Sequence, residues 1–463
     1  MTQPSIGLLP LYLELYDRGI PEVRPRMEAF YAAVAQAFTE RGIRVETTPL
    51  CRLKPEFMQA VSAFEGANVD CIVTLHLAYS PSLESAEVLT GTTLPVVVLD
   101  TTPTYDYSPQ QDPAELMYNH GIHGVQDLCN LLLRLGKAFH IEAGHWEHSD
   151  VLDRVAAWAR AAQMATAMRT ARVGRIGDSF HGMGDFAIPP EILRTTIGME
   201  TVPADPAVIR ALLPADEDPE VAAEMNADLD RFEAAEIDIV AHRRSVRAGL
   251  AVRRWLEQER LNAFSFNFLA VDQSSGIPTV PFLEASKAMA RGIGYAGEGD
   301  VLTAALVGAL ASVYPDTSFI EMFCPDWAGE RIFLNHMGEM NIALAAEKPR
   351  LLEMTYPWSD AENPAFAVGR FRCGEAVLVN LAPGPQQTYT LIIAPVSMVH
   401  VEGENRMAGM VNGWFKPPMP IADFLTAYSN AGGTHHSALV YGNVADEMVR
   451  FGQLMEWSVK EIK

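Results

Sequence analysis

The chain has 463 residues, of which 49% are apolar and 20% charged, and its formal net charge is −23. This length and composition predict two or three globular domains. The negative charge argues against nucleic acid as a partner, because its phosphates would be repelled. No apolar run approaches the ~18–20 residues that cross a bilayer, and the N-terminal residues lack the basic start of a signal peptide. We therefore expect a cytoplasmic protein with no membrane segment.

The cysteines are scattered, odd in number and free of CxxC spacing. We expect them to be buried thiols of a reducing compartment rather than disulfides or zinc ligands. They are Cys51, Cys71, Cys129, Cys324 and Cys373.

Residues 1–165 alternate strand and helix patterns. The apolar runs SIGLLPLYL, CIVTLHL and LPVVVLD are typical of buried parallel strands, and RPRMEAFYAAVAQAFTERG has the apolar spacing of a helix. This order predicts an N-terminal domain with a doubly wound parallel sheet, whose ligands would lie beyond the carboxyl ends of the strands. The histidines at 120, 123, 140, 145 and 148 match no compact zinc pattern.

A second αβ domain is predicted over residues 166–315. It starts at ARVGRIGDSFHGMGDF, where a strand runs into a polar loop, and includes the strand NAFSFNFLAV and the helix PFLEASKAMARGIG. The strongly acidic stretch 214–238 is interpreted as a solvated helix and loop.

Residues 316–463 contain short β-type segments separated by Gly, Pro and Asn. This pattern predicts a C-terminal antiparallel, β-rich and barrel-like domain. Residues 443–462 have apolar residues at helical spacing and predict a closing helix.

The string Gly292-Ile-Gly294-Tyr-Ala-Gly297 matches GxGxxG, but it does not predict a nucleotide site. A dinucleotide fingerprint follows a strand, whereas here a predicted helix precedes the glycines. Glu298 and Asp300 follow at once and would repel a diphosphate.

The same region offers carboxylates and imidazoles instead. Glu298 stands between two glycines, Glu321 lies in the apolar run TSFIEMF, and His336 lies in a β-type segment. A buried carboxylate needs a cation, a partner or a raised pKa. His435 and His436 are adjacent, so in an extended segment they would point to opposite faces and only one could join the same site.

Two glutamates and two histidines suit a divalent first-row metal such as Mn²⁺, with Co²⁺, Fe²⁺ or Zn²⁺ as alternatives. Their spacing leaves open a second interpretation, in which they are core polar residues held by hydrogen bonds.

These segments resemble the L-arabinose isomerase family and, more loosely, the L-fucose isomerase superfamily. The string AGEGD-x-x-TAAL looks like the family's signature, and TSFIE, NHM and GGTHH follow in the family's order. Weaker similarity in LHLAYSP, HGIHG, AGHWEH and GRIGD extends the resemblance over most of the chain.

The resemblance implies that Glu298, Glu321, His336 and His436 ligate a divalent metal, usually manganese, and that the two glutamates form the acid/base pair. It implies conversion of an aldose to a ketose through an enediolate, without an organic cofactor. It further implies a homo-oligomer, a trimer or a hexamer, whose active sites lie between subunits. His145, from a neighbouring subunit, and His435 are then candidates for contacts to the sugar.

This sequence departs from the family beside the motifs, with Val301 and Leu302 after EGD and with Met322, Phe323 and Cys324 after the second glutamate. We therefore expect the substrate to be L-arabinose, another pentose or hexose, or a modified sugar such as an acidic or sulfonated one. An epimerase or lyase on the same scaffold, and a non-catalytic sugar-binding homologue, are the alternatives.

Overall fold

The computed structural model describes residues 3–463, which divide into two compact units at Gln163/Met164. The helix that contains this division begins at Val151 and ends at Arg169.

The N-terminal unit is built on a five-stranded parallel sheet in the order β2-β1-β3-β4-β5. Strands β1 and β3 are buried along their whole length, which explains their continuous apolar sequence. The strands are β1 (Ser5–Leu11), β2 (Arg44–Glu46), β3 (Cys71–His76), β4 (Val96–Asp100) and β5 (His140–Ala143). The helices are α1 (Glu14–Gly19), α2 (Arg24–Glu40), α3 (Lys54–Gly66), α4 (Ser82–Gly91), α5 (Leu116–Asn119), α6 (Ile122–Arg134) and α7 (Val151–Arg169).

The C-terminal unit begins with a second parallel sheet, of four strands in the order β7-β6-β8-β9. Its strands are β6 (Arg172–Ile176), β7 (Glu200–Pro203), β8 (Ala263–Phe266) and β9 (Gly294–Gly297). The accompanying helices are α8 (Pro190–Thr196), α9 (Pro206–Leu212), α10 (Pro219–Arg231), α11 (Ile239–Gln258), α12 (Phe282–Ala290) and α13 (Val301–Ala311).

The same unit ends in a closed antiparallel barrel. Six strands pair in the ring β14-β17-β10-β11-β16-β15, which closes by pairing of β15 with β14, and β18 adds in parallel to β15. Leu334, Leu378, Ile392 and Phe415 fill its core. The elements of this part are β10 (Thr317–Asp326), β11 (Arg331–Asn335), β12 (Arg350–Glu353), β13 (Ala365–Val368), β14 (Gly374–Pro383), β15 (Tyr389–Val399), β16 (Gly413–Lys416), α14 (Ile421–Asn430), β17 (His436–Tyr441), α15 (Ala445–Leu454) and β18 (Ser458–Glu461). Strands β12 and β13 lie outside the barrel and form a separate two-stranded antiparallel sheet.

Helix α13 connects the two halves of this unit. It packs on β9 of the parallel sheet and on β10 and β17 of the barrel, so nearly every side chain is buried. Burial on opposite sides explains why VLTAALVGALA is apolar all round rather than on one stripe. The predicted fold class, parallel αβ sheets followed by an antiparallel barrel, is confirmed. The division into domains 1–165, 166–315 and 316–463 stays a prediction.

The predicted closing helix was wrong at its C-terminal end. Helix α15 stops at Leu454, Glu456 adopts a left-handed φ of 58°, and β18 then pairs with β15. Helical spacing of apolar residues continues through Val459, but backbone pairing with a strand about 70 residues earlier in the chain outweighs it. That pairing is not visible in local periodicity.

The prediction of buried free thiols is confirmed for Cys51 and Cys71 and was wrong in burial for the other cysteines. All five cysteines are free, and Cys324 and Cys373 are exposed. Cys324 lies in the outer half of β10, beyond the residues that pair with β17. Within residues 3–463, no helix is both long enough and apolar enough to cross a membrane.

His76, at the end of β3, predicts an acid-sensitive N-terminal unit. It is 3% exposed, and neither ring nitrogen has a hydrogen-bond partner within residues 3–463. Burial lowers the pKa of His76 from 6.5 to about 3. Between these values the unfolded chain binds the proton and the folded one does not, so stability is lost as the pH falls from 6.5 towards 3.

We expect this single group to reduce the free energy of unfolding by several kcal/mol over that range, since one pKa unit corresponds to about 1.4 kcal/mol. Urea unfolding at pH 7 and pH 4.5 should show a smaller pH dependence in His76→Leu than in the wild type. His148→Leu, on an exposed ring of the same unit, serves as the control. Equal pH dependence in both variants would contradict the role of His76.

Candidate active site

The register of the barrel brings three of the singled-out residues together. Glu321 on β10 lies opposite His436 on β17 and opposite Asn335 on β11, and His336 follows Asn335 directly. The parallel sheet supplies the fourth residue, because Glu298 follows the carboxyl end of β9. Four segments far apart in sequence therefore converge within the C-terminal unit.

Glu298 is aimed by an unusual backbone conformation. Its φ is 64° and that of Gly299 is 81°, so two successive residues are left-handed. A Cβ at Gly299 would lie 2.7 Å from the backbone of Ser179, and the Glu298 carbonyl accepts a hydrogen bond from Phe180 N–H at 2.8 Å. A left-handed conformation costs about 1–3 kcal/mol in a residue other than glycine, and such strain clusters at functional sites.

The side-chain atoms form two overlapping groups that share His436. Glu298 Oε2 lies 3.5 Å from His436 Nε2 and 3.6 Å from His435 Nε2. Glu321 Oε2 lies 3.9 Å from His336 Nε2. Within each group, Glu298/His435/His436 and Glu321/His336/His436, the potential ligand atoms lie within 4.8 Å of one another. This geometry is compatible with a cation held among them.

A buried carboxylate orients each of the two innermost histidines. His436 Nδ1 lies 3.0 Å from Asp300 Oδ2, and His336 Nδ1 lies 2.6 Å from Glu339 Oε2. Tyr295 O–H donates to the other oxygen of Glu339 at 2.5 Å. Because an ionised carboxylate only accepts, each Nδ1 carries the proton and each Nε2 is directed into the site. This is the arrangement that holds metal-ligating histidines.

The expectation that His435 and His436 point to opposite faces was wrong. Their ring centroids are 4.2 Å apart, and both rings approach Glu298. His435 lies in a bend before β17 begins, so strand alternation does not apply to it. Asp185 Oδ2 accepts from the His435 backbone N–H at 3.1 Å and lies 2.6 Å from His435 Nδ1.

The pKa values of the two glutamates are shifted in opposite directions by their surroundings. Burial raises the pKa of Glu298, but the neighbouring His435 and His436 outweigh burial and lower it to about 2. Burial raises the pKa of Glu321 above its usual value, and the nearby histidines compensate only in part. Two carboxylates with pKa values pushed apart are typical of sites that use one as a fixed anion and the other as a proton carrier.

The histidines respond in the complementary direction. Burial lowers the pKa of His436, but Asp300 and Glu298 outweigh this effect and raise it to about 10. For His336, burial is likewise opposed by Glu339, and the pKa lies above the usual value. Both imidazoles thus lie in a negative field that favours bound positive charge.

Aromatic rings and a glycine close the site. Phe186 stacks on His436 with centroids 5.0 Å apart and planes 10° apart, and Phe319 meets His336 and His436 edge-on at 4.8 and 4.9 Å. A Cβ on Gly297 would lie 2.8 Å from the His336 ring. Gly297, the last glycine of the GxGxxG string, therefore gives close packing here.

His145 lies in the N-terminal unit, in the turn after β5. Its Nδ1 accepts from the backbone N–H groups of Glu147 and His148, each at 3.2 Å, and its buried Nε2 has no hydrogen-bond partner within residues 3–463. Burial, and then His148, lower its pKa. Its contact with substrate stays a prediction.

The carboxylates that orient the histidines were not predicted from the sequence. Asp300 and Glu339 lie two and three residues after singled-out positions, so a search for carboxylates near each candidate ligand would have found them. Asp185 is 250 residues from His435, and no local signal connects the two.

The site consists of carboxylate oxygens and imidazole nitrogens, on parallel αβ sheets joined to an antiparallel barrel. Two family models match this chain: L-arabinose isomerase central domain over residues 220–314 and L-arabinose isomerase C-terminal domain over residues 316–458. Together they cover slightly more than half of the chain. The protein belongs to the L-arabinose isomerase family, as a divergent member, and is an enzyme of the sugar isomerase class.

Individual relatives agree with this assignment. The chain is 27% identical to L-arabinose isomerase 2 of Bacillus licheniformis over 369 residues, 77% of this chain and 76% of that one. It is 26% identical to L-arabinose isomerase of Geobacillus kaustophilus over 424 residues, 86% of this chain and 82% of that one. A solute-binding protein of an ABC transporter from Agrobacterium vitis, bound with alpha-D-tagatopyranose, matches with a TM-score of 0.14 and 11% identity over 67% of this chain and 88% of that one, which is too low to support an argument.

Gly297→Ala tests the close packing at His336. The new Cβ would lie 2.8 Å from Cε1 and 3.1 Å from Nε2 of the ring, so the ring must shift. We expect isomerase turnover to fall on the order of 10²-fold, as for a displacement of about 1 Å at a catalytic group, with about 1–3 kcal/mol lost in stability. Gly409→Ala, at an exposed position with open space, is the control. Turnover close to that of the wild type in Gly297→Ala would mean that the position of His336 is unimportant.

Proposed function

We propose that the protein is a metal-dependent aldose–ketose isomerase that acts through an enediolate. The observation that carries the proposal is the convergence of Glu298 and Glu321 with the Nε2 atoms of His336 and His436. These are the residues that the family resemblance implied, and tertiary contacts bring them together.

The donor atoms fit a divalent cation. Glu298 Oε2 and His436 Nε2 are buried and 3.5 Å apart, and neither has a hydrogen-bond partner within residues 3–463. Buried polar atoms without partners are costly, and a shared cation would satisfy both. Two carboxylates and two imidazoles without thiolate favour Mn²⁺, with Co²⁺, Fe²⁺ and Zn²⁺ as alternatives. When bound, the cation polarises the substrate oxygens and stabilises negative charge on them.

The two glutamates divide the proton chemistry. Glu321, whose pKa is raised by burial, is the better base and takes the proton from the carbon beside the carbonyl. It then returns that proton to the neighbouring carbon. Glu298, whose pKa is about 2, stays ionised and assists transfer of the hydroxyl proton. His435, held by Asp185, is placed to hydrogen-bond a sugar hydroxyl beside Glu298.

The substrate is proposed as L-arabinose, another pentose or hexose, or a modified acidic or sulfonated sugar. The relatives are named L-arabinose isomerases, which supports an aldose of this kind. The residues that depart from the family's pattern differ in exposure. Val301 and Leu302 are buried in α13, whereas Phe323, two residues after Glu321 on β10, is 46% exposed. We further propose a cytoplasmic homo-oligomer, a trimer or a hexamer, in which His145 serves a neighbouring subunit's site.

A screen of aldoses with Mn²⁺ tests the function directly. We expect ketose formation from at least one L-arabinose-like aldose, abolished by EDTA and restored by Mn²⁺, because the buried donor atoms need the cation. Ketose formation that EDTA leaves unchanged would contradict the metal requirement. A product other than the simple ketose would favour the epimerase or lyase alternative.

Glu321→Gln tests the acid/base assignment. The amide retains size but cannot accept the substrate proton, so we expect turnover to fall about 10²–10⁴-fold with the fold unchanged. Metal content measured alongside turnover separates loss of chemistry from loss of the cation. Glu347→Gln, on a carboxylate 63% exposed and paired with Arg370, is the matched control. Near-normal turnover in Glu321→Gln would remove this residue from the reaction.

A further inference from the structure

The composition of the acidic stretch 214–238 suggested a solvated helix and loop, but part of this stretch is buried. On α10, Asp228 is fully buried and the Glu224 side chain is 16% exposed. Both contact Lys287 of α12, whose Nζ lies 2.9 and 3.2 Å from the two oxygens of Asp228 and also pairs with Glu224. The inner face of α10 is therefore part of a buried ionic network.

Arginines extend this network to the surface. Arg253 of α11 binds both oxygens of Glu224 at 3.0 and 3.1 Å and both oxygens of Glu284 at 3.0 and 3.2 Å. Arg291, after α12, pairs with Glu284 as well. Arg231, at the end of α10, lies 3.6 Å from Asp228. Four basic side chains thus meet three carboxylates, which leaves positive charge in excess.

This excess charge surrounds a cavity of about 370 Å³. Arg231, Arg253, Lys287 and Arg291 line it, whereas Glu224 is its one acidic lining residue among residues 3–463. Ile342 and Ala343 supply an apolar wall. A concave surface with this balance concentrates anions from solution, although the net charge of the chain is −23.

The two arginines nearest to solvent have spare hydrogen-bonding capacity. The side chain of Arg231 is 44% exposed and that of Arg291 is 38% exposed. Within the described part of the chain, Arg231 makes no side-chain hydrogen bond, and Arg291 makes one. A guanidinium has five N–H donors in a planar fork that matches phosphate oxygens.

We propose that this cavity is a binding site for a small phosphate-bearing anion. Arg231 and Arg291 hold the phosphate by hydrogen bonds at the mouth, and Arg253 and Lys287 add positive charge from below. The volume exceeds that of a phosphate group, so an organic part of the ligand lies against Ile342 and Ala343. The site is distinct from the glutamate–histidine cluster and does not depend on the proposed function.

Calorimetry and thermal unfolding with inorganic phosphate and with glycerol phosphate test the proposal on the whole protein. Ionic strength is matched with chloride, because general salt effects do not saturate. We expect a saturable rise in Tm with one binding site per chain. Tighter binding of glycerol phosphate than of inorganic phosphate is the expected result, and equal binding would contradict the organic part of the ligand while leaving the phosphate contacts.

Variants locate the binding. Arg231→Ala combined with Arg291→Ala should weaken it roughly tenfold or more, since two charge-assisted contacts are lost. Arg231→Ala alone loses only one distant ion pair, so it serves if the double variant does not fold. Arg406→Ala, on a side chain 83% exposed, is the control for loss of a cation elsewhere. Non-saturating stabilisation, or equal affinity in the wild type and the Arg231 variants, would overturn the proposal.

Discussion

One buried carboxylate joins the two halves of the candidate active site. Asp300 Oδ1 accepts from Thr303 N–H at 2.9 Å and so begins helix α13, while Oδ2 contacts His436 Nδ1 at 3.0 Å. The first contact belongs to the parallel αβ half and the second to the barrel. Because Glu298 lies two residues before Asp300, the same contact sets the distance between Glu298 and His436. Helix capping and histidine orientation thus depend on one side chain.

Buried charged groups in this protein are arranged in two different ways. Beside Glu298, two buried atoms, Glu298 Oε2 and His436 Nε2, have no hydrogen-bond partner within residues 3–463, and both belong to the groups of potential ligand atoms. Around Lys287 and Asp228 the buried ions satisfy one another, and donors remain in excess at the cavity mouth. Desolvation of ions is costly in both places, so each arrangement persists because opposite charges lie close by. The first arrangement suits a cation and the second an anion.

The order of elements could be predicted from the sequence because a segment that is buried on both faces is apolar throughout, and this is visible in the local sequence. Strands β1 and β3 are apolar along their length, and α13 is apolar all round, since each is covered on opposite sides. The predictions were wrong where a contact with residues far away in the sequence determines the local structure. Val459 continues a helical pattern, yet β18 forms because β15 offers a strand edge. Asp228 belongs to an acidic stretch, yet it is buried because it pairs with Lys287.

The residue types available for chemistry and their places in the chain follow from the sequence alone: Glu298 lies between glycines, Glu321 among apolar residues, and His336 and His436 in β-type segments. It also carried the order of motifs that the family shares. The carboxylate that orients each of His435 and His436 is set instead by contacts between residues far apart in the chain. His436 meets Asp300 across 136 positions and His435 meets Asp185 across 250. Both contacts arise where the parallel αβ half packs against the barrel, and no local pattern in the sequence records that packing.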